Sequence, residues 1–378
     1  MTDPSPSPLR VAVDATPLLG PRTGIGRFTA AVLEGLGRRP EVATRAFAAT
    51  WRGRERWTEL LPPGITPVTR PMAARALRAA WRTLGRPAVE WWTGPVDVVH
   101  GTNFVVPPTR RAAEVVTVHD LTAVHYPELC KPDVRRYPDL LRRALDRGAW
   151  VHAVSAFVAG EVVAELGAPP DRVRTVPNGG PEPGPPGDAG AGRRLAGAER
   201  YILSLATVEP RKDHATLVRA FAEEALGGPL SGVRLVLAGA EGWGTDELDA
   251  ALARSPAADR VVRLGWVDDE ARASLLAGSS ALAYPSRYEG FGLPPLEAMA
   301  AGAPVVATAV GAVPEVVGDA AVLVPPADAG ALAEALRSIL LDDERADDLR
   351  RRGHARVAAF DWARTVDGLV DLYRDAAR

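Results

Sequence analysis

The sequence predicts an α/β chain with two parallel sheets, and three observations carry that prediction. Short apolar runs of strand length alternate with helical patterns along the chain, as parallel strands joined by helical crossovers do. The runs fall into two series, separated by PEPGPPGDAGAG at 181–192, where dense Pro and Gly mark a linker. A length of 378 residues suits two domains. The expected division is 1–180, a linker over 181–198, and 199–360.

In order, 9–13 reads as a strand and 24–36 as a helix. Strands follow at 96–99, 115–118 and 151–154. The second series holds strands at 201–205, 233–237, 261–264, 281–284 and 305–307. The run 362–378 has helical periodicity. Ligands of open α/β sheets bind beyond the carboxyl ends of the strands. Loops after these strands are therefore where chemistry is expected, and two such domains facing one another make a cleft.

Composition narrows the function. Hydrophobic content of 47% and charged content of 24% describe an ordinary globular protein. A net charge of −2 gives no general argument for nucleic acid. Cys130 is the single cysteine, which excludes an internal disulfide and a cysteine-rich metal site. No apolar run reaches the ~18 residues of a spanning helix, and the polar, Pro/Ser-rich start is unlike a secretory signal. A cytoplasmic protein is expected. Lys131 and Lys212 are the two lysines among 45 basic residues, so each lysine is worth a question.

The densest chemistry lies in Glu289-Gly290-Phe291-Gly292-Leu293-Pro-Pro-Leu-Glu297. A Gly/Pro-rich turn opening a helix presents backbone N–H groups to an anion. The two carboxylates accept hydrogen bonds from hydroxyls. One segment thus offers a phosphate cradle and two sugar-hydroxyl acceptors, which suits a nucleotide-diphosphate sugar. Glu209-Pro-Arg211-Lys212-Asp213 follows the first strand of the second series, and adjacent cations there suit a diphosphate. Gly20-Pro-Arg-Thr-Gly24-Ile-Gly26-Arg27 follows the first strand of all, and glycines there permit close approach to a phosphate.

That glycine pattern also occurs in short-chain dehydrogenases, but their Tyr-x3-Lys pair is missing: Pro127 precedes Lys131 and Val208 precedes Lys212 by four. His119, in Thr117-Val-His119-Asp120, either donates into the cleft or is satisfied by loop carbonyls; Asp120 orients it or caps the next turn. His100 and His125 read as structural or acceptor-side residues. Asp268 reads as a helix cap, Ser155 as a cap or a cleft residue, and Val176-Pro-Asn178-Gly179 as a structural turn. Arg75, Arg78, Arg82 and Arg86, with Trp81, Trp91 and Trp92, form either a basic face for an anionic membrane over 75–92 or a solvated helix with core tryptophans.

The string Pro285-Ser-Arg-Tyr-Glu-Gly-Phe-Gly-Leu-Pro-Pro-Leu-Glu-Ala-Met-Ala-Ala-Gly302 resembles the E-x7-E signature of retaining glycosyltransferases of family 4, on the GT-B fold. Thr-Gly-Ile-Gly-Arg and Glu-Pro-Arg-Lys resemble its mannosyltransferase-like members. The resemblance covers nearly the whole chain and implies two Rossmann-like domains, with the last helix (361–378) packing back onto the N-terminal one. It implies a retaining hexosyltransferase, with mannose from GDP-mannose the leading donor and a glycan, lipid-linked or small-molecule acceptor.

Under that resemblance His119, Lys212 and Glu289 are catalytic. The donor is held by Gly24, Gly26, Arg211, Lys212, Val267, Glu289, Gly290, Phe291, Gly292, Leu293 and Glu297. The first glutamate sits on the hexose and the second on the ribose, while the loop at Val267 reads the base with backbone groups. Many relatives carry an arginine six residues before the lysine; here that place is Ala206. No Asp-x-Asp metal motif is present, so neither an essential metal nor a cofactor is expected. A nucleotide-sugar epimerase and a non-catalytic nucleotide-binding protein stay open as alternatives.

Overall fold

The computed structural model describes residues 7–20, 24–50, 57–181, 187–225 and 230–378. The chain forms two compact units, Met1–Gly179 with Asp361–Arg378, and Gly180–Phe360.

Among its described residues the first unit holds seven parallel strands: β1 (Leu9–Asp14), β2 (Val42–Phe47), β3 (Thr66–Pro67), β4 (Val98–Gly101), β5 (Ala113–Val118), β6 (Trp150–Ala153) and β7 (Val173–Thr175). Their order across the sheet is β3-β2-β1-β4-β5-β6-β7. The second unit holds β8 (Tyr201–Leu205), β9 (Arg234–Ala238), β10 (Val261–Gly265), β11 (Ala281–Tyr284), β12 (Val305–Thr308) and β13 (Ala321–Val324), in the order β10-β9-β8-β11-β12-β13. In both sheets the strand order therefore reverses beside the first strand, at β1/β4 and at β8/β11. Central strands such as β8 and β11 are buried at every residue, as helix-covered parallel strands must be.

Four strands escape the sequence pattern: β2, β3, β7 and β13. β3 and β7 are short edge strands and β13 is a partly exposed one. β2 is interrupted by Thr44 and Arg45. The stretch 181–198, expected to be a linker, contains the helix Ala189–Ala196. Asp188 caps it by accepting the Gly190 N–H at 2.8 Å, and a methyl on Gly192 would lie 2.0 Å from the Ser274 carbonyl oxygen. Glycine there permits close packing against the helix Asp269–Gly278, so the composition that suggested a linker serves helix contact. Residues 182–186 lie outside the described ones.

The last helix, Trp362–Ala376, belongs to the first unit. Asp361 caps it through the Ala363 N–H, 2.8 Å. Val366, Leu369, Val370, Leu372 and Tyr373 join the core built by Phe28, Val32, Leu33 and Leu36 of the helix Gly24–Gly37. The hydroxyl of Thr365 donates to the Pro177 carbonyl at 2.8 Å, and Trp362 packs on Gly179. The Val-Pro-Asn-Gly turn is thus structural.

A buried chain of hydrogen bonds ties this helix to the sheet. His152 Nε2 lies 2.8 Å from the Val176 carbonyl, which can only accept. That assigns the proton to Nε2 and makes Nδ1 the acceptor of the Thr117 hydroxyl, 2.9 Å away. The Thr117 oxygen then accepts from His100 Nε2 at 2.7 Å. His100 Nδ1 accepts from the Tyr373 hydroxyl at 2.6 Å. One carbonyl thus sets both tautomers, and both rings are neutral. Burial pushes His152 down to about 4 and His100 well below its ordinary value.

These histidines make stability depend on pH. The unfolded chain binds their protons near 6.5 and the folded chain does not. The stability they contribute is present above about 6.5 and is lost as pH falls through about 4, on the order of 3 kcal/mol for His152 alone. Removing the Tyr373 hydroxyl in Tyr373→Phe leaves His100 Nδ1 unpaired and should cost about 1–3 kcal/mol. Urea unfolding at pH 7 and pH 4.5 measures both effects; a stability that rises on acidification would contradict the first.

Candidate active site

In the second unit two loops leave the carboxyl edge at the point where the strand order reverses. One runs from β8 to the helix His214–Ala225; the other runs from β11 to the helix Leu293–Ala300. They are stitched to each other. The Arg287 N–H donates to the Arg211 carbonyl at 2.8 Å, and Arg211 Nη1 donates to the Tyr288 carbonyl at 2.8 Å. Arg287 Nη2 pairs with Asp213 at 3.1 Å. Asp213 itself sits at φ +47, a left-handed turn that Asp tolerates, and it sets the chain direction directly after Lys212.

This stitching brings Arg211, Lys212 and Glu289 into one cluster. Lys212 Nζ is 2.5 Å from Glu289 Oε1 and Arg211 Nη1 is 2.9 Å from Glu289 Oε2. Arg211 Nη2 also meets Glu209 at 2.9 Å. The Tyr284 hydroxyl lies 3.2 Å from Lys212 Nζ, which also stands over the Tyr284 ring at 5.0 Å. Glu289 is only 6% exposed. Burial pushes its carboxyl up, but Arg211 and Lys212 outweigh burial and hold it at about 2. Burial, with Arg211, lowers the Lys212 ammonium against the opposing pull of Glu289 and Glu209. Two cations and two carboxylates therefore balance in this cluster. Arg211 stands beside Lys212 as the second cation on Glu289.

The turn after Glu289 is built for close approach. Gly290, Phe291 and Gly292 are buried. Gly292 stands at φ +123 before the helix, a conformation natural only to glycine. The Glu289 carbonyl is held by the Ala312 N–H at 2.9 Å. Sequence reasoning counted on the first turn of this helix for N–H donors, but Pro294 and Pro295 have none. The amides left for an anion come from Phe291, Gly292 and Leu293.

Glu297 is 7% exposed on the same helix and pairs with Arg272, a partner that sequence reasoning missed. Val267 lies in the loop between β10 and the helix Asp269–Gly278. Asp268 caps that helix, accepting the Ala271 N–H at 2.8 Å.

In the first unit, Gly24 and Gly26 open the helix Gly24–Gly37 after β1; residues 21–23 of their motif lie outside the described ones. His119 follows β5 and packs edge-on to Phe28 and Phe104. Its Nε2 is 2.8 Å from the Thr102 carbonyl. The expected donor position is thus spent on a loop carbonyl, leaving Nδ1 of the neutral ring as an acceptor. Burial lowers its pKa. Asp120 accepts from the Thr122 N–H at 2.9 Å, so it caps the next turn. Ser155 accepts from the Val158 N–H at 3.1 Å, also a cap, and His100 is structural.

Around 75–92, two of the three tryptophans are tied to the backbone. The indoles of Trp81 and Trp92 donate to the Pro87 and Pro71 carbonyls at 2.8 and 3.0 Å, while Trp91 is 71% exposed. The side chains of Arg75, Arg78 and Arg82 lie outside the described residues. No helix is long and apolar enough to cross a membrane, and no group of three His, Cys, Asp or Glu is placed to hold a metal, both among the described residues.

Comparison with known proteins agrees with this anatomy. The model of "Glycosyltransferase Family 4" matches residues 22–180, and that of "Glycosyl transferases group 1" matches 192–356. The O-antigen chain mannosyltransferase B of Escherichia coli is 32% identical over 291 residues, spanning 73% of this chain and 74% of the relative. The D-inositol 3-phosphate glycosyltransferase of Segniliparus rotundus is 31% identical over 315 residues, spanning 79% of this chain and 68% of the relative. Among solved structures, HepE of Anabaena in complex with UDP-glucose superposes with a TM-score of 0.71 at 18% identity, covering 97% of this chain and 100% of that one. The chain is therefore a glycosyltransferase and belongs to glycosyltransferase family 4, on the two-domain α/β fold termed GT-B.

Proposed function

We propose that the chain moves a hexose from a nucleotide-diphosphate sugar to a hydroxyl acceptor with retention of configuration. Mannose from GDP-mannose is the leading donor. The observation that carries this reading is the buried cluster of Arg211, Lys212 and Glu289 at the strand-order reversal of the second sheet. A diphosphate entering there exchanges for Glu289 as the partner of the two cations, and the freed carboxylate becomes an acceptor for hexose hydroxyls. Glu297, one turn into the helix, is placed to accept from the ribose. The amides between the two glutamates then run along the diphosphate that separates the two sugars.

In this reading the leaving diphosphate takes the acceptor proton on the face of attack, so no dedicated general base is needed. The protein contributes positioning and charge stabilisation of the leaving group. His119 offers Nδ1 as acceptor for a sugar hydroxyl. The name of the Escherichia coli relative supports mannose; that of the Segniliparus relative points to a phosphorylated polyol acceptor. Incubation with a panel of labelled nucleotide sugars and candidate acceptors, followed by product identification, tests the assignment. Release of sugar to none of the acceptors would overturn it.

Three outcomes are expected. Lys212→Ala should weaken nucleoside-diphosphate binding by about 1.5–3 kcal/mol, the size of a charged hydrogen bond; unchanged calorimetric affinity would remove Lys212 from the diphosphate. Glu297→Ala should weaken the bare nucleotide as much as the full donor, whereas Glu289→Ala should lower turnover through a sugar contact that tightens in the transition state. Paired titrations with nucleotide and nucleotide sugar separate the two, and a reversed pattern exchanges the roles. Turnover should survive excess chelator, because Arg211 and Lys212 supply the phosphate counter-charge; loss restored by Mg²⁺ or Mn²⁺ would refute this.

A further inference from the structure

Glu297 does not stand alone. Its Oε2 is paired with Nη2 of Arg272, whose side chain is mostly buried while that of Glu297 is almost wholly so. Arg272 rises from a helix that is fixed on three sides. Asp268 caps its first turn at 2.8 Å, the Tyr201 hydroxyl donates to its Leu275 carbonyl at 2.6 Å, and the helix Ala189–Ala196 lies against it through Gly192. The loop carrying Val267 leads directly into the same helix. The element that starts at the expected base-reading loop thus also grips the carboxylate expected to hold the ribose.

We propose that Arg272 is a positioning residue. It holds the Glu297 carboxylate in the orientation that accepts from the ribose, and so sets discrimination between ribo- and 2′-deoxyribonucleotides. The inference rests on the placement of the ribose at Glu297 proposed above.

Two physical arguments support it. First, a carboxylate has about four lone-pair sites, so pairing with a guanidinium and accepting from a ribose hydroxyl are compatible. A guanidinium is a planar fork, so it fixes the plane of the carboxylate as well as its position, which a lysine ammonium does not. Second, an unpaired Glu297 in a low-dielectric pocket would repel the diphosphate of the same ligand. Arg272 cancels that charge without occupying the phosphate's own cations, Arg211 and Lys212.

The test is calorimetric titration of the wild type, Arg272→Met and Arg272→Lys with GDP and dGDP, and with UDP and dUDP. The wild type should prefer the ribonucleotide by about 10-fold or more, as for a hydrogen bond to a charged group. Arg272→Met should bring that ratio close to one, the ribonucleotide losing more affinity than the deoxynucleotide, whose own loss reflects only repulsion by the uncompensated Glu297. Arg272→Lys should fall between the two, and it carries the test if the methionine variant does not fold. An undiminished ratio in both variants overturns the role of Arg272, as does an equal loss of both nucleotides, which is what a merely structural ion pair would give. A wild type with no ribose preference instead overturns the placement of the ribose at Glu297, and the proposal with it.

Discussion

Parallel strands all leave a sheet at the same edge, and in this chain that constraint decides where every reactive group can stand. A strand buried on both faces has no room for charge along its length. Charge is therefore confined to the loops beyond the strands, and the only place where two such loops diverge is where the strand order reverses. β8 and β11 meet there. Their loops carry Arg211, Lys212 and Glu289, and the hydrogen bonds from Arg287 and Arg211 to the opposite loop's backbone hold them in register. The ionic cluster follows from topology first and from side-chain attraction second. Its members are buried, so each depends on the others: withdrawing one leaves an uncompensated charge at high cost.

The first unit solves a different problem with the same architecture. Its central strands carry histidines, His100 and His152, at positions where burial would leave polar atoms without partners. The relay from Tyr373 through Thr117 to the Val176 carbonyl pairs both nitrogens of each ring. Satisfied networks of this kind favour one packing over near alternatives, since any slip leaves several groups unpaired at once. The last helix is therefore held by geometry as well as by apolar contact.

How much of this was readable beforehand depended on burial. β8 and β11 stand out in the sequence because every residue is inside. β3 (Thr66–Pro67) and β7 (Val173–Thr175) are edge strands with exposed residues, and they carry no apolar run to read. The helix Ala189–Ala196 hid behind glycines that serve close packing, although Asp188 before it is a cap signal. Lys212 was conspicuous by rarity. Arg272 was not, because arginine is everywhere in this sequence and nothing in its spacing connects it to a glutamate 25 positions later. The E-x7-E string was legible as chemistry. That its first carboxylate already neutralises two cations was not, because such a pairing exists only once two loops fold together.

The path of the chain through the two units has a consequence for synthesis. The second unit, Gly180–Phe360, is continuous in sequence, so its core is complete as soon as its own residues have emerged. The first unit begins with the first strand made, yet its core needs Val366, Leu369, Val370, Leu372 and Tyr373. On a ribosome adding residues from the N-terminus, the half of the molecule that is made first is the half that finishes last. Until residues 361–378 have emerged, the face of the helix Gly24–Gly37 around Gly35, which Val366 later covers, remains open. While the second unit is being added, the nascent first unit carries an uncovered apolar face, which makes residues 361–378 the closing step of that unit's folding rather than an appendix.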